Sequence, residues 1–287
     1  MNTKITLLLI LALFSVSTSP IIGRALTGVG AVSISFWRMF VAAAVLWIFS
    51  AIKPQKKMHS INNLFKTVVA GILLGIHFAL FFEAIKITKI ANATFLGTLA
   101  PLFTLLIEFF ILKRTYNKRV LLGLFFTLVG SIIILGYQFD LESKYTLGNL
   151  YAVICSICIA LALMIGEKVR KEESTVVYTR TLYLYAALTL FLISLCIYEQ
   201  LIGYNFNEYL GLAFLGLVPT ILGHNSIYYS IRYVSPTIVA AFPLGEPIIA
   251  TIFAYFLFYE QITINIFLGG IITMIGLILI SIYKKIK

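Results

Sequence analysis

The chain reads as ten apolar runs separated by short polar breaks, at about 4–23, 32–52, 65–85, 91–112, 119–138, 147–166, 177–198, 208–230, 236–258 and 263–283. A helix rises ~1.5 Å per residue, and the bilayer's hydrocarbon core is ~30 Å thick, so about 20 apolar residues make one crossing. The pattern predicts an all-α polytopic membrane protein with ten transmembrane helices, and its connections are too short to hold a soluble domain. The first run admits a second reading. Lys4 followed by residues 5–14 has the layout of a signal peptide, with the small residues 15–19 at a cleavage site. The apolar run resumes through Pro20-Ile21-Ile22-Gly23, however, and a proline is a poor residue to follow a cut. It is read as the first span.

One run is not plain. Ala240-Ala241-Phe242-Pro243-Leu244-Gly245-Glu246-Pro247 places two prolines, a glycine and a carboxylate near the middle of the ninth. A charge at bilayer depth costs roughly 2.5–3.5 kcal/mol on insertion scales, and such residues face a cavity or a partner. Prolines remove backbone donors, so nearby carbonyls are expected to be free to bind something. The plainer alternative is a Glu held by one hydrogen bond in a packing role.

Composition agrees with the pattern. The 287 residues are 61% hydrophobic and 11% charged, against about 25% charged for a soluble domain, and the mean hydropathy is +1.01. The net charge of +11 therefore speaks to topology and not to nucleic acid. With the N-terminus inside, sixteen Lys and Arg fall in cytoplasmic segments and four outside (Arg24, Lys86, Lys89, Lys144), while Arg38 and Arg180 lie within spans. That bias places both termini in the cytoplasm. Three cysteines in apolar runs make no disulfide framework, and Cys155-Ser-Ile-Cys158 reads as small packing residues. No metal site or cofactor is expected.

The chain also matches itself. At a shift of 146, Phe82-Glu83-Ala84-Ile85-Lys86 falls on Tyr228-Tyr229-Ser230-Ile231-Arg232, Pro101 on Pro247, Leu122-Gly123 on Leu268-Gly269, Thr127 on Thr273 and Gly130 on Gly276. At 142, Phe36-Trp37-Arg38 falls on Tyr178-Thr179-Arg180. Two five-span units are implied, 1–138 and 145–287. Five is odd, so the second enters the membrane inverted, and inverted repeats place a binding site at the midplane between the copies.

Candidate site residues follow from polar groups inside the spans. Arg38, about two turns into the second span, suits a carboxylate or phosphate, or snorkels outward; Arg180, nearer an edge, is expected to snorkel. Trp37 is an interfacial anchor or a cavity wall. His77 could bind cargo or exchange a proton, or simply bond a neighbouring carbonyl. Gly71 and Gly75 have close-packing spacing. Thr98 and Pro101 share a face of the fourth span, whose Glu108 is expected to pair locally with Lys113 at the interface. Pro219-Thr220 and Gly223-His224-Asn225 repeat the logic of the ninth span in the eighth, with Tyr228 and Tyr229 at the cavity mouth. Glu246, His224 and His77 are the candidate proton sites.

With these residues laid out, the chain resembles the EamA-type branch of the drug/metabolite transporter superfamily. The resemblance rests on Leu217-Val218-Pro219-Thr220-Ile221-Leu222-Gly223-His224, on Leu244-Gly245-Glu246-Pro247 continuing to Ala254-Tyr255 and Glu260, on Phe36-Trp37-Arg38, and on Ser19-Pro20-Ile21. It departs at Arg114, where the family's first repeat often has Glu. The resemblance implies secondary transport of small metabolites such as amino acids or nucleosides, often export, by alternating access from a central cavity in the cytoplasmic membrane. Proton coupling and facilitated diffusion fit equally well. The expected partners are a small-molecule metabolite and the lipid bilayer, with no nucleic acid; a homodimer is left open. The alternatives are a lipid-modifying membrane enzyme, which the midplane depth of the polar residues disfavours, and a non-transporting structural protein.

Overall fold

The computed structural model describes residues 2–88, 90–135, 143–258 and 264–282. Among them there is no strand. Eight helices are long and apolar enough to cross a membrane: α1 (Thr3–Ala25), α2 (Ala31–Ile52), α3 (Ile61–Ile87), α4 (Asn92–Ile111), α6 (Thr146–Arg170), α7 (Thr175–Ile197), α8 (Phe206–Ser230) and α10 (Ile264–Ser281). The remaining two of the ten are α5 (Lys118–Leu135) and a broken α9, made of Pro236–Ala241, a 3-10 turn Phe242–Gly245, and Glu246–Phe258. The expected midpoint linker lies mostly outside the described residues, as do Glu260, Lys89 and the basic C-terminal tail.

The packing obeys a two-fold relation between the halves. α3 packs on α6 as α8 packs on α1, and α3 meets α7 as α8 meets α2. The pairs α2–α7, α4–α9 and α5–α10 each join a helix to its own counterpart. This is the arrangement of two inverted five-helix units about an axis in the membrane plane. Large apolar side chains such as Ile48, Phe125, Leu192 and Ile278 are exposed on the outside, where acyl chains replace water as solvent.

Lipid supplies no hydrophobic drive between helices, so close backbone approach holds them together. It is tightest at α5–α10. A Cβ added to Gly276 would meet the Gly123 carbonyl at 2.5 Å and the Thr127 N–H nitrogen at 2.6 Å, and one on Gly130 would meet the Gly269 carbonyl at 2.6 Å. Overpacking costs about 1–3 kcal/mol. Gly276→Ala is therefore expected to lower the melting temperature in detergent by roughly 5 °C. An unchanged melting curve would show that the two helices can part without cost.

Prolines break α1, α4, α8 and α9, and in α8 and α9 the structure shows how the broken bonds are mended. The ring nitrogen of Pro243 cannot donate to Val239, and that of Pro247 cannot donate to Pro243. Both carbonyls are nonetheless taken by the tighter 3-10 pattern, Val239 by the Phe242 N–H and Pro243 by the Glu246 N–H. The Leu244 carbonyl accepts from the Ser131 hydroxyl at 2.9 Å. The expectation of free carbonyls here is thus corrected: what the break turns toward the interior cavity is the carboxylate that restarts the helix. In α8, Pro219 orphans the Leu215 carbonyl within a π-helical stretch, Gly216–His224, and the Thr220 hydroxyl donates to it at 2.9 Å.

Candidate functional site

The breaks converge on one cavity. It has about 80 Å³ open to the centre of a water molecule, and seven helices line it. Ser19 comes from α1, Arg38 from α2, His77 and Phe78 from α3, Thr98 from α4, His224 from α8 and Glu246 from α9. Ile159 and Leu163 of α6 and Phe81 of α3 supply apolar wall.

Arg38 is 1% exposed and does not snorkel. Its Nε donates to Thr220 Oγ1 at 2.9 Å and one terminal nitrogen donates to Ser19 Oγ at 2.5 Å. The guanidinium lies 4.1 Å from the centre of the Phe78 ring, a cation–π geometry. Thr220 relays: the hydroxyl that mends the proline break also accepts from Arg38. The third guanidinium nitrogen makes no hydrogen bond to a described residue.

Glu246 is 5% exposed, and its carboxylate makes no hydrogen bond or ion pair with any described residue. Its opposite charge is Arg38, felt through space across the cavity without contact. A buried charged group with no partner is expensive, so its survival asks for a water or a ligand.

The histidines differ. His77 Nδ1 lies 2.8 Å from the Cys155 carbonyl. A carbonyl only accepts, so Nδ1 carries the proton and Nε2 is left as an acceptor. The ring stacks on Phe81 at 6.2 Å. Buried His224 Nδ1 has no partner among the described residues. The Thr98 hydroxyl donates to the Thr94 carbonyl at 2.9 Å, which leaves its lone pairs open.

The structure thus brings Arg38, His77, Thr98, His224 and Glu246 together. Pro101 and Asn225 do not line the cavity: Pro101 is buried at the start of the inner half of α4, and Asn225 Oδ1 accepts from Tyr183 at 2.8 Å. Tyr228 is fully buried against Tyr178 and Tyr183, and Tyr229 faces a separate basic vestibule. Arg180 is buried, 4.7 Å from the Trp47 ring, with a nitrogen on the Lys56 carbonyl at 3.0 Å; an aromatic platform replaces the expected snorkelling. Trp37 donates to the Leu201 carbonyl at 2.7 Å and stays out of the cavity. Sequence reasoning missed Ser19 and Phe78 as site residues; the signal for Ser19 was the following Pro20, which opens α1 where a hydroxyl is wanted.

The EamA-like transporter family model matches residues 3–136 and again 146–282. The chain belongs to the EamA-like transporter family. An uncharacterized transporter of Archaeoglobus fulgidus is 26% identical to this EamA-like protein over 97% of this chain and 98% of its own. Uncharacterized transporters of Bacillus subtilis (26%, 74% of this chain and 76% of its own) and Clostridium kluyveri (23%, 92% and 88%) are also similar. A solved crystal structure shares the fold, with a TM-score of 0.82 at 17% identity over 97% of this chain and 96% of that one. This EamA-like protein is a membrane transporter.

Proposed function

We propose that the transporter carries small zwitterionic metabolites, amino acids foremost, by alternating access across the cytoplasmic membrane. The observation that carries the reading is the pairing of Arg38 and Glu246: opposite charges on one cavity, both buried, not in contact. Each end of a zwitterion then has its partner, the cargo carboxylate on the free guanidinium nitrogen and the ammonium on Glu246. His77 Nε2 is a second acceptor for the ammonium, and Phe81, Ile159 and Leu163 suit a short apolar side chain. Size narrows the choice. A water needs ~10–15 Å³ of such space, so the cavity holds about half a dozen, which suits an amino acid better than a nucleoside.

The basic loops support the end carrying Lys4, Lys113, Lys171 and Arg232 as cytoplasmic. A vestibule of about 1050 Å³ there gives cytoplasmic solutes a wide approach, which suits an exporter. A proton and a cargo ammonium exclude each other on Glu246, so proton antiport is the coupling this site supports. We read 1–138 and 145–287 as the two inverted units that rock about it.

A thermal-shift panel on purified protein tests the reading. L-amino acids should stabilise it by mass action, while their amides, which lack the carboxylate, and carboxylic acids, which lack the ammonium, should not. Stabilisation by nucleosides and not by any amino acid would overturn the assignment.

A further inference from the structure

Away from the cavity, a second carboxylate is fully buried and fully used. Glu108, near the end of α4, is 0% exposed. One oxygen accepts from Arg114 at 2.5 Å, and the other accepts from the hydroxyls of Tyr116 and Thr237. The Thr237 N–H lies 3.3 Å from the same oxygen, Thr104 lies 3.0 Å from the Thr237 hydroxyl, and Tyr116 lies 3.0 Å from Ser235. Arg114 also reaches Glu167 at 2.9 Å. The pairing with Lys113 expected from sequence is corrected, and the reason is local. Lys113 takes φ 52°, which closes the helix and brings the Arg114 N–H back to the Glu108 carbonyl at 2.8 Å, so that Arg114 and not Lys113 meets the carboxylate. Burial, with the Glu108 charge beside it, raises the Tyr116 pKa, so the phenol keeps its proton and donates.

Glu108, Arg114 and Tyr116 belong to the first half of the chain; Glu167, Ser235 and Thr237 belong to the second. The knot therefore ties the halves together, at the basic end. Along α9, Ser235 and Ile238 face the vestibule while Val239, Ala240 and Pro243 line the central cavity. At ~1.5 Å per residue the two spaces lie within about two helical turns of each other. Thr237 and Glu108 sit in that wall, and Arg114, Tyr116, Glu167 and Ser235 form its vestibule side. Parting α4 from α9 here would join the two spaces.

The inverted repeat supplies a comparison within the molecule. At the shift of 146, Glu108 falls on Ala254, Thr104 on Ala250 and Tyr116 on Ile262, while Thr237 falls back on Ala91; Arg114 falls on Glu260 and Ser235 back on Lys89, both outside the described residues. The carboxylate, the phenol and the two threonine hydroxyls of the knot therefore have no hydrogen-bonding side chain at their repeat positions. The Glu108–Tyr116–Thr237 cluster is thus particular to the basic end in its residues.

We infer that Glu108 and Tyr116 form a gate, a latch that holds the transporter shut at its basic end and biases it toward the state open at the opposite end. The inference rests on the carrier reading. Breaking the latch removes interactions made in only one of the two states, which shifts the population toward the other.

Accessibility measures this without any cargo. Cys155, Cys158 and Cys196 are replaced by Ala, and Ala240→Cys puts a single thiol in the cavity wall. Its rate of labelling by a membrane-impermeant maleimide is read in vesicles of each orientation. Glu108→Gln and Tyr116→Phe should each speed labelling from the basic side by about tenfold and slow it from the opposite side. If Glu108→Gln does not insert, Tyr116→Phe decides, since it removes one hydroxyl and keeps the ring. Unchanged rates, or a gain from the opposite side, would overturn the latch. The carrier reading would survive that result, because the ligand panel decides it separately.

Discussion

Glu246→Gln should lose cargo binding while the protein still inserts and melts no lower than the parent. The substitution keeps the shape and removes the charge. If Glu246 holds the cargo ammonium, truncating one partner of a desolvated charge pair costs about 2–5 kcal/mol, at least ~30-fold in Kd. A ligand at 100 times its Kd stabilises the parent by ~2.7 kcal/mol; weakened 30-fold, it stabilises the variant by only about 0.9 kcal/mol. The empty protein should behave the opposite way. Its carboxylate has no hydrogen bond or ion pair to lose, so Gln relieves a desolvated charge and the melting temperature holds or rises. Ligand shifts measured beside unliganded melting separate this from misfolding. A full ligand shift in the variant would remove Glu246 from the mechanism.

Arg38→Lys keeps the charge and should still fail, in a different way. The guanidinium spans Ser19 and Thr220 while stacking on Phe78, and it keeps a further nitrogen for an anion. An ammonium is a point charge without the planar fork. Lys must abandon at least one hydroxyl, and a lost bond to a buried charged group costs about 1.5–3 kcal/mol. The empty variant should therefore melt lower, unlike Glu246→Gln. It should also lose discrimination, with the preference for an amino acid over its amide falling by roughly tenfold. Equal melting and unchanged discrimination would show that only the charge at this position matters.

How much of this was legible varies residue by residue. The α9 break was visible because proline has no N–H wherever it sits. The Arg38 and Glu246 candidates were visible because a charge at bilayer depth is costly in any fold. The partners were not. Asn225 and His224 are neighbours in sequence, yet one is tied to Tyr183 and the other lines the cavity, since consecutive helical residues point about 100° apart. Lys113 and Arg114 looked equivalent beside Glu108 until the left-handed turn at Lys113 chose between them.

The sequence alone determined that the chain spans a membrane ten times, that its halves repeat, and where its helices must break. Each of these is read off the chain itself: the apolar length of a run, the match of the chain to itself at a shift of 146, a missing backbone donor. Tertiary structure alone decided that Arg38 and Glu246 share a cavity without touching, that the orphaned carbonyls are already taken, and that Glu108 joins the two halves at one end. Those depend on which helix faces meet, and in lipid that is set by close packing and hydrogen-bond geometry between segments far apart in the chain.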